Sequence, residues 1–399
     1  MSFVTDRLSE FTALGNWPEA APTVVAQINE HIPRLCGLAH DYLLRDAPEA
    51  MAECSLLVYE YYDLTLLIAN LDPYNVEAEA LGQKISYEPD RYPDIDRADY
   101  LIKGPDDLDK IKFRGLTSGR LPYLPRYNAA YRALAGIDPA NEGCAPWSLA
   151  SNLYGADRLI LATMTNPNFT RELFRRLIHD FLIPLYQAFQ TAIPGRVDYP
   201  LADAFASPPL LSPRLFDEYV VRSFDELTST LPGLRFTSKG IWGLGELPEK
   251  LRPGFAESLI HVGGELLGLD PDVAKLGPQW FRDYADVRGV PLTLGLSSTL
   301  LQDGPVDQIV ERVKHYVLTG KNGRTPMSLF LNCVSQSTPP DHVHAAVAAA
   351  RTYGRPGADA STRFEPPRRE SFAEFVSRKK ADKPKGYQFK WLETSSLRL

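Results

Sequence analysis

The chain has 399 residues, 44% of them hydrophobic and 23% charged, which suits one large soluble domain able to bury a core without disulfide or metal staples. Its net charge of −7 argues against a nucleic-acid-binding protein, because an acidic surface repels phosphate backbones. The four cysteines, Cys36, Cys54, Cys144 and Cys333, show no CxxC spacing and fit a reducing cytoplasm.

The first 60 residues read as a helical extension. Pro22–Ile32 and Arg34–Arg45 carry apolar residues at helical spacing, with Pro33 as the break between them. The N-terminus shows neither a basic nor an apolar leader region, and no apolar run is long enough to cross a membrane. From residue 61 short apolar runs alternate with amphipathic helices. Strands are predicted at Leu64–Ala69, Ser148–Leu153, Val197–Ala202, Leu234–Thr237, Glu265–Leu269, Val290–Leu294 and Met327–Leu331. Helices are predicted at Pro167–Ile193, Pro213–Thr230, Pro278–Arg288, Gly304–Leu318 and Pro340–Tyr353, several opened by a proline in the first turn. Strands separated by helices pair in parallel, so residues 61–354 are expected to form a single α/β domain, a (β/α)8 TIM barrel. Residues 355–399 form a C-terminal extension; the last 49 residues carry 12 Lys/Arg against 6 Asp/Glu, a basic tail on an acidic body.

In such a barrel the chemistry sits where the strands end. The polar residues there are Asp72, Tyr74 and Asn75; Asp203 and Ser207; Lys239 and Trp242; Asp270; and Asn332 with Cys333. Lys239 reads either as a cation for a substrate carboxylate or phenolate, or as the ion-pair partner of Asp203 or Asp270. His342 and His344 point about 200° apart on one helix and cannot share a metal, so both read as structural. Gly243-Leu244-Gly245 lacks the third glycine of a dinucleotide site, and no Gly-x-Ser-x-Gly is present.

The blocks DPYNVEAEALG (72–82), VDYPLADAFASPPLLSPRLFDEYV (197–220), LLGLDPDV (266–273), LTLGLSSTLLQDG (292–304) and LFLNCVSQSTPPDHV (329–343) resemble, in order and spacing, the uroporphyrinogen decarboxylase superfamily. The resemblance implies one of two chemistries: decarboxylation of a tetrapyrrole, or zinc-dependent methyl transfer involving a corrinoid protein. The decarboxylases carry an N-terminal arginine-rich clamp, and residues 1–60 offer only isolated Arg7, Arg34 and Arg45. The methyltransferases supply zinc ligands as His-x-Cys-Gly after one strand and a Cys after the last. Cys333 matches the second position, whereas the first reads Phe236-Thr237-Ser238-Lys239-Gly240. A zinc site would have to be rebuilt with His261, together with Glu246 or Glu265. The expectation is therefore a methyltransferase-like enzyme that demethylates a small, methoxylated aromatic donor towards a corrinoid or thiol acceptor. Lys239, Asp203, His261 and Asp270 are its candidate catalytic groups. Asp72, Tyr74, Asn75, Ser207, Trp242 and Asn332 are candidate substrate contacts, and Cys333 and His261 candidate metal ligands. The alternatives are a metal-free decarboxylase or lyase and a non-catalytic binding protein. A cytoplasmic homodimer with a small-molecule substrate is expected.

Overall fold

The computed structural model describes residues 2–65, 72–139, 142–366 and 369–381. Seven parallel strands carry the fold: β1 (Thr23–Ala26), β2 (Gly143–Cys144), β3 (Asp198–Ala202), β4 (Arg235–Lys239), β5 (Leu266–Gly268), β6 (Leu292–Leu296) and β7 (Met327–Leu331). They form two hydrogen-bonded runs, β1-β7-β6-β5 and β2-β3-β4. Among the described residues no helix is long and apolar enough to cross a membrane.

Most of the predicted rhythm is present, and some of it to the residue. Pro278–Arg288 and Pro340–Tyr353 are helices over the predicted spans, and Met327–Leu331 is a strand over its own. Proline explains the sharp helix starts, since its missing N–H falls where a helix has no bond to make. Pro167–Ala192 runs through a π-helical turn at Leu177–Leu182, and Pro213–Thr230 through one at Phe216–Val221.

Three predictions are corrected. Residues 22–32 are not a helix: Thr23–Ala26 is β1, fully buried and paired with β7 in the register Thr23↔Ser328 to Ala26↔Leu331. Four β-branched or small residues in a row, Thr-Val-Val-Ala, are compatible with either state, and pairing with β7 decides for strand. Arg34–Arg45 is not one helix either: the helix His31–Cys36 contains Pro33 in its first turn and stops at Gly37, whose φ of 65° a side chain would resist, and a separate π-helical turn follows at Tyr42–Asp46. Ser148–Leu153 is likewise not a strand but part of a helix, Pro146–Tyr154, and the strand lies just before it at Gly143–Cys144. The predicted strand at Leu64–Ala69 falls mostly outside the described residues; Thr65 donates its N–H to the Val24 carbonyl at 2.9 Å.

The helices needed below are α1 (Pro48–Tyr62), α2 (Val76–Leu81), α3 (Pro146–Tyr154), α4 (Arg252–Gly263), α5 (Pro278–Arg288), α6 (Val306–Lys321), α7 (Pro340–Tyr353) and α8 (Phe372–Ala381). Strand alternation sorts the side chains into two sets. Phe236 packs on Tyr186 and Tyr199, and a Cβ on Gly268 would strike Phe281 of α5, so these positions face the helices. Their neighbours in the strands, Thr237, Lys239, Leu267 and its register partner Thr293, face the other way, into the barrel.

Candidate active site

The inward face is polar across several strands. Lys239 at the end of β4 pairs with Glu265 at the start of β5. Thr293 of β6 donates to the other carboxylate oxygen of Glu265 at 2.7 Å, and Thr23 of β1 shares a 2.7 Å hydrogen bond with Ser328 of β7. Lys239 and Thr293 hold the Glu265 carboxyl below its usual range against the burial that would raise it. This belt sits beneath the ends of the strands.

Above it, four segments converge. Tyr74 is placed by the turn before α2, where Asp72 Oδ1 accepts the N–H groups of Tyr74 (3.3 Å) and Asn75 (3.1 Å). Its hydroxyl lies 3.8 Å from where a Cβ on Gly240 would be, an ordinary contact distance that places the phenol at the turn after β4. Burial holds the Tyr74 hydroxyl protonated, and the nearby acids and thiols of Glu142, Cys333, Cys144 and Asp203 add to the effect. Glu142 immediately precedes β2; burial pushes its carboxyl up to about 7 although Lys239 pulls the other way. Cys333 follows β7 with a left-handed φ of 52°, and its Sγ donates to Gln27 Oε1 at 3.2 Å. Gln27 is held there by two further ladder bonds, to Leu331 and Val334. The Cys333 thiol is accessible, yet burial, with Glu30 and Glu142 adding to it, pushes it up to about 12. Tyr74, Glu142, Lys239, Cys333, Gln27 and Glu30 therefore mark one mouth.

Asp203 lies one step behind it. Its Oδ1 accepts the backbone N–H (2.9 Å) and hydroxyl (2.7 Å) of Ser148 on α3, while Oδ2 is buried with no hydrogen-bond partner among the described residues. Burial raises this carboxyl to about 7 despite both bonds. At neutral pH it is poised between protonated and charged, unlike a surface aspartate.

With the geometry in place, comparison with known proteins is decisive for family. The model of the uroporphyrinogen decarboxylase family matches residues 43–353. The chain belongs to that family. Its fold is the family's (β/α)8 barrel, of which β1–β7 are the described strands. Among solved structures, a methyltransferase from Methanosarcina mazei superposes with a TM-score of 0.65 at 20% identity, covering 87% of this chain and 98% of that one. No curated protein sequence gives a significant match.

Within this uroporphyrinogen decarboxylase family barrel, the residues singled out from sequence part company. Tyr74, Lys239 and Cys333 meet at the mouth, and Asn332 adjoins Cys333, its N–H on the Leu296 carbonyl. Trp242, 36% exposed, sits on the loop after β4, where Ser207 Oγ accepts its N–H at 3.0 Å; Ser207 itself is buried and serves that loop. Asp72 and Asn75 are locked inside, Asp72 by Arg120 and Asn75 by Asp72 and the Pro93 carbonyl, so they shape the Tyr74 turn and do not face the mouth. Asp270 turns outward to Arg312 (2.7 Å) and Tyr316 of α6, holding a helix to the barrel. Lys239 pairs with neither Asp203 nor Asp270 but with Glu265. His261 lies on α4, outside the strands, 57% exposed and 2.7 Å from Asp225, and the structure does not bring it to Cys333.

That placement bears on zinc. Among the described residues no group of three or more His, Cys, Asp or Glu is arranged to hold a metal ion. Cys333 spends its thiol proton on an amide oxygen, and the surroundings oppose the thiolate that zinc binds. The donor set does not fit the metal. Glu142, Glu30 and Gln27 escaped sequence reasoning. The signal for Glu142 was Pro146: a proline-opened helix there places the preceding strand at 143–144 and its acid at the strand's start.

Proposed function

We propose that this chain is a methyl-transferring enzyme on the uroporphyrinogen decarboxylase fold, taking a methyl group from a small, methoxylated aromatic donor to a corrinoid or thiol acceptor. One observation carries the reading: an acid that is substantially protonated at neutral pH, Glu142, lies close to the Tyr74 hydroxyl and the Lys239 ammonium beside the turn after β4. An aryl methyl ether reacts when its oxygen is polarised. As the nucleophile takes the methyl carbon, the methyl–oxygen bond breaks, its electron pair stays on oxygen, and the Glu142 proton neutralises the phenolate. Tyr74 would orient the ether oxygen by hydrogen bonding. Lys239, already neutralised by Glu265, tunes Glu142 electrostatically. The likeness to a methyltransferase fold supports the same reading. The enzyme would act as a cytoplasmic homodimer on a small molecule.

The same buried Glu142 carboxyl supports a second reading, a carboxy-lyase in which it protonates the carbanion left by CO2 loss. One assay separates the two. The protein is incubated with methoxybenzoates carrying a labelled methyl group, and with a thiol or a corrinoid protein as acceptor. Label in the acceptor and a free phenol are expected. Release of CO2 with the methoxy group intact would replace the first reading with the second.

A further inference from the structure

Helix α8 packs on α1, and the two line a cavity of about 580 Å³ together with His344 of α7. That volume lies within the roughly 300–1,000 Å³ of small-molecule sites. Its charged walls are mostly committed. Glu60 pairs with Lys379, Glu370 with Arg378, and Glu374 accepts the N–H (2.7 Å) and hydroxyl (2.9 Å) of Ser371.

Two polar groups on the wall stand apart. His344 of α7 is 3% exposed, and neither ring nitrogen has a hydrogen-bond partner among the described residues. Arg369 is exposed at the rim and pairs with no carboxylate among them. Burial holds the His344 imidazole down to about 4 and pushes the Tyr61 hydroxyl up to about 12; the Arg369 charge is near enough to add to the first shift and to oppose the second. The remaining surface is aromatic: Tyr61 meets His344 edge-on at 4.5 Å between ring centroids, and Phe375 lies 5.4 Å from Tyr61. A buried imidazole with both nitrogens unsatisfied is costly unless something supplies its hydrogen bonds.

The geometry points to a binding site for a small aromatic carboxylate, its ring against Tyr61 and Phe375, its carboxylate on Arg369, and a polar substituent or carboxylate oxygen on His344. A guanidinium takes a carboxylate through two parallel bonds, and the aromatic walls select a flat ring over an aliphatic chain. A neutral imidazole offers one donor and one acceptor and so tolerates either partner.

Calorimetric titration of the full-length protein with benzoate tests this, with acetate and benzyl alcohol as controls lacking the ring or the charge. One equivalent of benzoate is expected to bind outside the mouth with a Kd below about 1 mM, and both controls more weakly. Arg369→Gln, a surface change, is expected to weaken benzoate at least ~10-fold, as is His344→Phe, which keeps the ring volume. Glu142→Gln at the mouth is expected to leave binding intact. In the histidine Cε1–H NMR spectrum, the signal absent from His344→Phe should move when benzoate is added to the wild type. If His344→Phe does not fold, Arg369→Gln decides the matter. No binding at 20-fold above that Kd limit, unchanged affinity in Arg369→Gln, or loss in Glu142→Gln alone would each overturn the assignment.

Discussion

Burial holds three carboxyls near neutrality, Glu77, Glu142 and Asp203, the last two in different settings. Glu142 is half-buried at the mouth, whereas Asp203 is sealed behind it with one oxygen unpartnered. For Asp203 the folded value of about 7 lies above its unfolded one, so the folded state binds more protons between roughly pH 4 and 7. Stability is therefore full below that window and falls as pH rises through it. Asp203→Asn removes the titration. Relative to wild type its unfolding free energy should improve from pH 5 to pH 8, by an increment on the order of a few kcal/mol, and a pH-independent difference would refute the account. Glu142→Gln should keep the fold and lower turnover by ~10²–10⁴-fold, and wild-type activity should decline as pH rises through the Glu142 value of about 7. His31 works in the opposite sense. Buried between Tyr62 Oη and the Ser335 carbonyl, it is held down to about 4, so its contribution is lost as pH falls from about 6.5 towards that value. Replacing it with an uncharged residue should flatten the acid side of the stability profile.

At the scale of elements, legibility followed length and punctuation. Helices with a proline in the first turn and five-residue strands such as Met327–Leu331 were readable because period and boundary agree. β2 was not, since two residues carry no period at all; the apolar helix after it, SLASNL, drew the strand assignment instead. β1 was missed because four residues without alternation give the same pattern in a buried strand and a buried helix. The mouth was half legible for a related reason. Lys239, Tyr74 and Cys333 stand beside recognisable strand ends and motifs, while Glu142 depends on the missed strand and Gln27 on the missed pairing of β1 with β7. β2 also has a specific weak point. A Cβ on Gly143 would fall 2.8 Å from Glu77 Oε1 and 3.2 Å from Tyr186 Oη, and Glu77 is the acceptor of the Cys144 N–H. Gly143→Ala should therefore displace β2 and Glu142 with it, cutting activity more than it lowers the melting temperature. α5 is fastened differently: buried Arg282 donates to the carbonyls of Gly320 (3.1 Å) and Thr325 (3.0 Å) and to Asp286 (2.7 Å). Arg282→Ala should cost about 3 kcal/mol in chemical denaturation, because it leaves the carbonyls of Gly320 and Thr325 without their donor and removes the cation from half-buried Asp286.

For the whole molecule, the family match begins at residue 43, but the sheet does not. β1 covers the edge of β7, and the residues ahead of it are tied in at several points: Trp17 Nε1 donates to the Gly323 carbonyl at 2.8 Å, and Arg351 of α7 reaches Glu10 at 2.6 Å. A chain shortened to residues 43–399 would leave Ser328–Leu331 as an open edge and Gln27 absent from the mouth. It should aggregate or lose its cooperative thermal transition, whereas removal of residues 1–13 alone should lower the midpoint and leave the transition intact. Survival of a cooperative transition in the shorter chain would show that β1 is dispensable.

The unequal fate of the four cysteines gives the protein a built-in reporter. Cys36, Cys54 and Cys144 are fully buried, and Cys333 alone is accessible. A thiol-specific dye should therefore modify one site in the native protein, slowly at neutral pH because little thiolate is present, and four after denaturation. Any molecule that enters the barrel should slow that single reaction, so occupancy can be followed in real time without knowing the substrate in advance.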